Sequence, residues 1–347
     1  MEFSSCILHW YYKNQRNLPW RASNEAYNVW ISEVILQQTR VAQGLGYYNR
    51  FIATFPNIKD LANASEDQVL KLWQGLGYYS RARNIHSTAK HISSNFDGKF
   101  PNTYKEIIKL KGVGPYTAAA ISSICFNEKQ AAVDGNVYRV LSRVFNISTP
   151  INSTQGIKEF QLLADTLISD EKPGDYKALM ELGATVCTPK KADCTNCPLE
   201  SMCLGYSKGT FSMLPVKIKK IKIRKRNLNY YCIEQSNSVL MNQRTGKDIW
   251  RNLFDFPLQE NDSATTEPDH QYLTKLIGDE SYTVEKTNYY KHKLSHQVLS
   301  ITIHHIKTSK LVAIHNYELF SKSQTLELAV PKPIELFLSE FISKKII

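Results

Sequence analysis

The chain has 347 residues, of which 42% are hydrophobic and 22% charged, and its formal net charge is +11. Those proportions exclude a disordered or fibrous chain, and at roughly 150 residues per domain the length implies two domains or three. The basic excess suits a polyanionic partner, because cations that neutralise phosphates release condensed counterions, although an ordinary soluble basic surface gives the same sum.

At the N-terminus, MEFSSCILHWYYKNQRNLPW lacks the basic start, continuous apolar stretch and small-residue cleavage site of a secretory signal. No apolar run reaches membrane-spanning length, so the expectation is an intracellular, cytoplasmic protein without a membrane partner. From Tyr27 to about Ala184 the pattern is helical. Apolar residues at Trp30, Val34 and Val41, and at Ile31 and Ile35, recur at helical spacing and predict a helix with one buried face through YNVWISEVILQQTRVAQGL. SEDQVLKLWQGLG repeats the pattern, with Ser65 as N-cap and a glycine-rich exit.

Two further predicted helices, TYKEIIKL and PYTAAAISSICF, are joined by KGVG. A turn that tight calls for glycine at positive φ, and the N–H groups of the turn and of the next helix's first turn form an anion site suited to a DNA phosphate. A plain αα-hairpin would use the same glycines. About twenty residues later, AAVDGNVYRV sets Asp134 where a helix begins, as an N-cap, a functional carboxylate that stays ionised at neutral pH, or both.

Seven cysteines are present, and Cys187, Cys194, Cys197 and Cys203 fall within seventeen residues. In a reducing compartment such a cluster speaks for metal and against disulfides; by chemistry alone, four thiolates suit zinc or an iron–sulfur cluster. After Leu214 the composition changes, with seven lysines and arginines between Lys217 and Arg226. That run is either a solvated edge strand or linker, or a phosphate contact. Beyond it, YYCIEQSNSVLMNQRTG reads as two strands around a turn, HQVLSITIHHIK as a strand, and PIELFLSEFISKK as an amphipathic helix.

Together, LKGVGPYTAAA and VDGNVYRV resemble the helix–hairpin–helix, glycine/proline-rich loop and aspartate motif of DNA base-excision glycosylases. The cysteine spacing, with six, two and five residues between successive thiols, is similar to the iron–sulfur loop of the endonuclease III and MutY group. SEVILQQTRV, LPWR and GLGYYSRARN are similar to MutY segments, and GKDIWRNLFDFPLQE with KLSHQVLSITIHH resembles its Nudix-like domain. The resemblance implies a multidomain chain. An all-α helix–hairpin–helix glycosylase domain with a [4Fe–4S] loop (residues 1–210, the loop at 187–203) would be followed by a basic linker (211–228) and a smaller α/β Nudix-like lesion-recognition domain (229–347).

Activity implied by the resemblance is removal of adenine mispaired with 8-oxoguanine or guanine in double-stranded DNA, by a monomer in the cytoplasm, nucleoid-associated in a bacterium. Glu33 would protonate adenine at N7, Asp134 would stabilise the cationic sugar or capture it briefly, and Tyr116 and Asn136 would orient them. Bifunctional relatives carry a lysine at the position of Tyr116, and tyrosine cannot form their imine. Arg21, Gln37, Gln38, Tyr78, Gly112 and Gly114 would contact DNA, with Gln38 in the stack opened by the flipped base and Tyr78 beside 8-oxoguanine. Ser295 and His296 would read the lesion, although Leu294 stands where the family more often has phenylalanine. Cys187, Cys194, Cys197 and Cys203 would hold the cluster. No glutamate-rich Nudix catalytic helix is present, so nucleotide hydrolysis is not expected. The rivals are an endonuclease III-like glycosylase/lyase for oxidised pyrimidines and a non-catalytic iron–sulfur DNA-binding protein.

Overall fold

The computed structural model describes residues 3–218, 223–263, 265–278, 282–309 and 316–343. Helices come first: α1 (Phe3–Asn14), α2 (Ala26–Leu36), α3 (Val41–Thr54), α4 (Ile58–Asn63), α5 (Glu66–Trp73), α6 (Ser80–Asn95), α7 (Tyr104–Ile107), α8 (Pro115–Phe126), α9 (Gly135–Val144), α10 (Thr154–Leu167), α11 (Lys177–Thr185) and α12 (Leu204–Ser207). The chain forms two compact units, one of Met1–Asn63 with Asn84–Lys219, the other of Ala64–Arg83 with Lys220–Ile347. Among the described residues no helix is long and apolar enough to cross a membrane.

Local chemistry sets the helix boundaries. Ser65 caps α5 in a capping box with Gln68, as expected of a hydroxyl that accepts from the N3 amide while the N3 side chain returns the bond. The helix expected through Tyr27–Leu45 is two helices. It breaks after Leu36, where Gln38 takes φ +56°, and Arg40 leads into α3. Nor does α2 have a single buried face: Ala26, Tyr27, Val29, Trp30, Ile31, Ser32, Val34 and Ile35 are all buried, which makes it a central helix. The helix expected through TYKEIIKL is one turn, α7, because the N–H groups of Leu110 and Val113 bond carbonyls three residues back and tighten the chain toward α8. Between α9 and α11, Val137, Val140, Leu141, Leu179 and Leu182 share one apolar core with Ile7, Tyr11 and Phe160.

In the second unit, a sheet runs β3 (Phe254–Asp255), β2 (Ser238–Gln243), β1 (Arg224–Gln235), β6 (Gln297–Thr308), β5 (Tyr282–Lys293), with β4 (Leu258–Asn261) also on β1 and β7 (Glu318–Ser321) on β2. β1 and β6 pair in parallel over eleven residues, while β5 and β6 form an antiparallel hairpin. The central strand β1 is buried without a break from Leu228 to Glu234, the pattern of a strand covered on both faces. Helices α13 (His270–Ile277), α14 (Lys322–Glu327) and α15 (Lys332–Ser343) complete the unit. Of the basic run, residues 219–222 lie outside the described residues. Arg226 belongs to neither alternative read from sequence: it is 7% exposed and donates to both Asp248 and Glu260 at 2.7 Å, a charge buried because it is doubly paired.

Candidate active site

A cavity of about 590 Å³ in the first unit is lined by Glu33 from α2, Gln37 and Gln38 after it, Tyr116 from α8, Asp134 and Asn136 at the start of α9, Glu181 from α11, and Arg21. The Tyr116 hydroxyl donates to Glu33 Oε2 at 2.7 Å. Burial pushes the Glu33 carboxyl up to about 7, the Tyr116 hydrogen bond opposes that rise, and the charge of Asp134 adds to it. Burial also holds the Tyr116 phenol well above its ordinary value, so it serves as a donor. The result is a carboxyl that keeps a proton near neutral pH inside a cavity.

Asp134 caps α9, accepting on Oδ1 from the N–H groups of Asn136 (2.9 Å) and Val137 (2.8 Å). Its other oxygen accepts from Asn136 Nδ2 at 2.7 Å. Burial raises this carboxyl too, against the pull of those donors. Asn136 is itself fixed by Arg139, which donates to Asn136 Oδ1 at 2.8 Å and to the Gly183 carbonyl at 2.7 Å. Gly183 is required by this contact, since a Cβ there would stand 2.7 Å from Asn136 Cβ and 3.0 Å from its carbonyl oxygen.

Sequence reasoning passed over Glu181, whose side chain is fully buried under two arginines. Both Arg16 and Arg21 donate to its Oε2 at 2.7 Å, and Arg16 adds its backbone N–H and Nε to Oε1. Burial alone would raise this carboxyl, but these donors bring it down to about 2. Arg21, expected at DNA, is thus held by Glu181 and by the Arg16 carbonyl at 3.1 Å while lining the cavity. The one available signal was a lone acid in the apolar helix ALMELGA.

Gln37 Nε2 reaches Thr117 Oγ1 at 3.3 Å, and Gln38 is exposed. Gly112 lies at the hairpin turn with φ +79°, where a Cβ would stand 2.6 Å from the Asn84 side chain. Gly114 does not need positive φ: it is the N-cap of α8 at φ −94°, with open space where a Cβ would be. Trp20 and Tyr79 are core residues. Tyr78, Ser295 and His296 belong to the second unit and line a separate cavity there of about 450 Å³. Leu294–His296 form the turn between β5 and β6, closed by the Leu294 N–H on the Gln297 carbonyl at 2.8 Å.

All four clustered cysteines line one small pocket with Val140, Leu182 and Arg143. The Arg143 guanidinium donates to Cys187 Sγ at 3.3 Å, and its Nη1 also bonds the Thr188 carbonyl at 2.9 Å. Burial raises the Cys194, Cys197 and Cys203 thiols, Cys197 to about 12, and the neighbouring sulfurs push the same way. As placed, no group of three or more His, Cys, Asp or Glu among the described residues could hold a metal ion.

Residues 31–163, which include Glu33, the hairpin turn and the capping Asp134, match the HhH-GPD superfamily base excision DNA repair protein family, which makes the chain a base-excision DNA glycosylase by class. Residues 229–340 match the NUDIX domain family. An adenine DNA glycosylase of Buchnera aphidicola subsp. Schizaphis graminum is 34% identical over 345 residues, covering 98% of each chain. One from Mus musculus is 44% identical over 226 residues, 61% of this chain and 44% of its own. Among solved structures, a thermostable thymine-DNA glycosylase superposes with TM-score 0.55 at 30% identity, covering 59% of this chain and 95% of its own. The chain belongs to the adenine DNA glycosylase family.

Proposed function

We propose that the chain hydrolyses the N-glycosidic bond of adenine mispaired with 8-oxoguanine or guanine in duplex DNA, without a lyase step. The observation that carries this reading is Glu33, a carboxyl raised to about 7 in a cavity large enough for a flipped base and hydrogen-bonded to Tyr116. Adenine leaves readily only once its ring is protonated. A carboxyl still protonated near pH 7 can supply that proton at N7. Departure of the base leaves an oxocarbenium-like sugar, and Asp134 supplies the facing negative charge, fixed by two N–H groups and Asn136. Water then completes the hydrolysis. Tyr116 offers no amine to attack the sugar, which supports a monofunctional enzyme.

Cys187, Cys194, Cys197 and Cys203 are proposed to hold a [4Fe–4S] cluster. The four sulfurs line one pocket with Arg143, and four thiolates on one loop are a donor set that suits an iron–sulfur cluster. Thiols raised by burial and by each other would become thiolates only with cations among them. The cluster would supply cross-linking of the loop, and Arg143 would neutralise sulfur charge. DNA is the proposed partner and the monomer the proposed form, with the hairpin turn and the start of α8 contacting phosphate. The cytoplasm, at the nucleoid in a bacterium, is the proposed location. Incubation with duplexes carrying 8-oxoguanine:A, thymine glycol:A or undamaged pairs tests the reading: adenine release from the first, with strand breaks only after alkali, is expected. Breaks from thymine glycol without alkali would replace it with an endonuclease III-like activity.

A further inference from the structure

The Tyr116 hydroxyl has one proton and faces two acceptors, Glu33 Oε2 at 2.7 Å and the thioether sulfur of Met180 at 3.8 Å. A thioether is a weak acceptor, so the proton lies with the carboxyl. Met180 comes from α11 and packs with Tyr116 against Ala119, Ala120 and Ala132. It is only partly buried, and of the methionines among the described residues it is the one that lines the cavity holding Glu33. Met241 is buried in the second unit, and Met213 is 67% exposed. The catalytic acid is thus oriented by a phenol whose second neighbour is a sulfur open to chemical change.

Resting on the substrate reading above, we infer that Met180 is an oxidation site through which peroxide slows excision, its sulfoxide drawing the Tyr116 hydrogen bond away from Glu33. A sulfur lone pair takes one oxygen of hydrogen peroxide. The S–O bond forms as the O–O bond breaks, sulfur loses two electrons, and the departing hydroxide takes the proton of the transferred oxygen and leaves as water. A flexible apolar side chain becomes a polar one, and its new oxygen is a strong acceptor beside the phenol. Met180 acts through Tyr116, as a positioning residue. The groups that face Glu33 are Tyr116 on α8, Asp134 at the start of α9, and Arg21. With Tyr116 turned away, the bond that opposes the rise of the Glu33 carboxyl is gone, while burial and Asp134 still push it up. Release therefore slows, and its decline with pH moves to higher pH. 8-Oxoguanine is itself oxidised guanine, so the enzyme meets its substrate and this class of oxidant together.

The test treats the full chain and Met180→Leu with dilute hydrogen peroxide and locates added oxygen by peptide mass spectrometry. Single-turnover adenine release from 8-oxoguanine:A is then followed across pH, each protein against its own untreated rate. Oxidation of Met180 in the unaltered chain is expected to lower the rate about tenfold and to shift its decline upward in pH. Methionine sulfoxide reductases for both epimers should restore the rate and the pH dependence. Met180→Leu keeps Met202, Met213 and all seven cysteines. It is expected to hold its own rate within about twofold, which separates Met180 from oxidation at the cysteine loop. A Met180 left unmodified while Met213 is oxidised would overturn the inference, as would a modified Met180 with an unchanged rate. So would an equal loss in the leucine variant, an unmoved pH dependence, or a loss that the reductases do not reverse. An untreated protein that releases no adenine would instead bring down the substrate reading, and the effect on rate with it.

Discussion

Glu33 combines two demands that oppose each other. A carboxyl raised from its ordinary 4.5 to about 7 binds its proton more tightly folded than unfolded, so stability falls as pH rises between those values and the penalty is complete above the folded one. Solvent reaches the cavity, so the penalty is on the order of 1–2 kcal/mol. Glu33→Gln is therefore expected to raise the melting temperature at pH 8 and leave it nearly unchanged at pH 4; equal shifts at both would mean that the carboxyl does not keep its proton. If Glu33 is the acid proposed above, adenine release should decline as pH rises through about 7. Asp134 differs, because it also caps a helix. Asp134→Asn is expected to suppress excision and to lower stability by about 1 kcal/mol, read from melting curves run beside the assay. Glu181 has its carboxyl brought down to about 2, so its contribution is present above about 4.5 and is lost as pH falls toward 2. Glu181→Ala should cost about 3 kcal/mol by stranding Arg21 and Arg16, the second partly relieved by solvent.

At the scale of elements, the site depends on close approach. Gly183 lets α11 lie against α9 at Asn136, and Gly183→Ala should displace Asn136 and lower the excision rate tenfold or more with little change in duplex affinity. An unchanged rate would show that Asn136 has room to move. Helix starts were legible because caps announce them, Ser65 for α5 and Asp134 for α9. The break after Leu36 was not, since no glycine or proline marks it, and the left-handed angle there falls on Gln38, a residue type that does not announce one. Glu33 was found through its motif; its environment, a helix buried nearly all round, was misread as amphipathic because Ser32, Glu33, Gln37 and Gln38 interrupt the apolar run. Glu181 and its arginines are more than 150 residues apart in sequence, and no local pattern joins them.

Across the whole molecule, each unit has a large cavity of its own. The first holds the acid, the tyrosine and the aspartate; the second holds Tyr78, Ser295 and His296. That the Tyr78 segment clusters with the second unit could not be read from its helical pattern, since periodicity tells which face is buried and not what buries it. Chemistry and choice of opposite base are accordingly separable in this account. Ser295→Ala with His296→Ala should lower release from 8-oxoguanine:A several-fold relative to G:A in single-turnover assays, leaving the chemistry intact. In anaerobically purified protein, metal analysis should find iron and inorganic sulfide, and one zinc without iron would replace the cluster assignment. The central claim, that a buried carboxylic acid gives its proton to adenine, is tested most directly by single-turnover adenine release and duplex binding measured together for Glu33→Gln. The account predicts that binding persists within a few-fold while release is abolished; release at a comparable rate by the variant would contradict it.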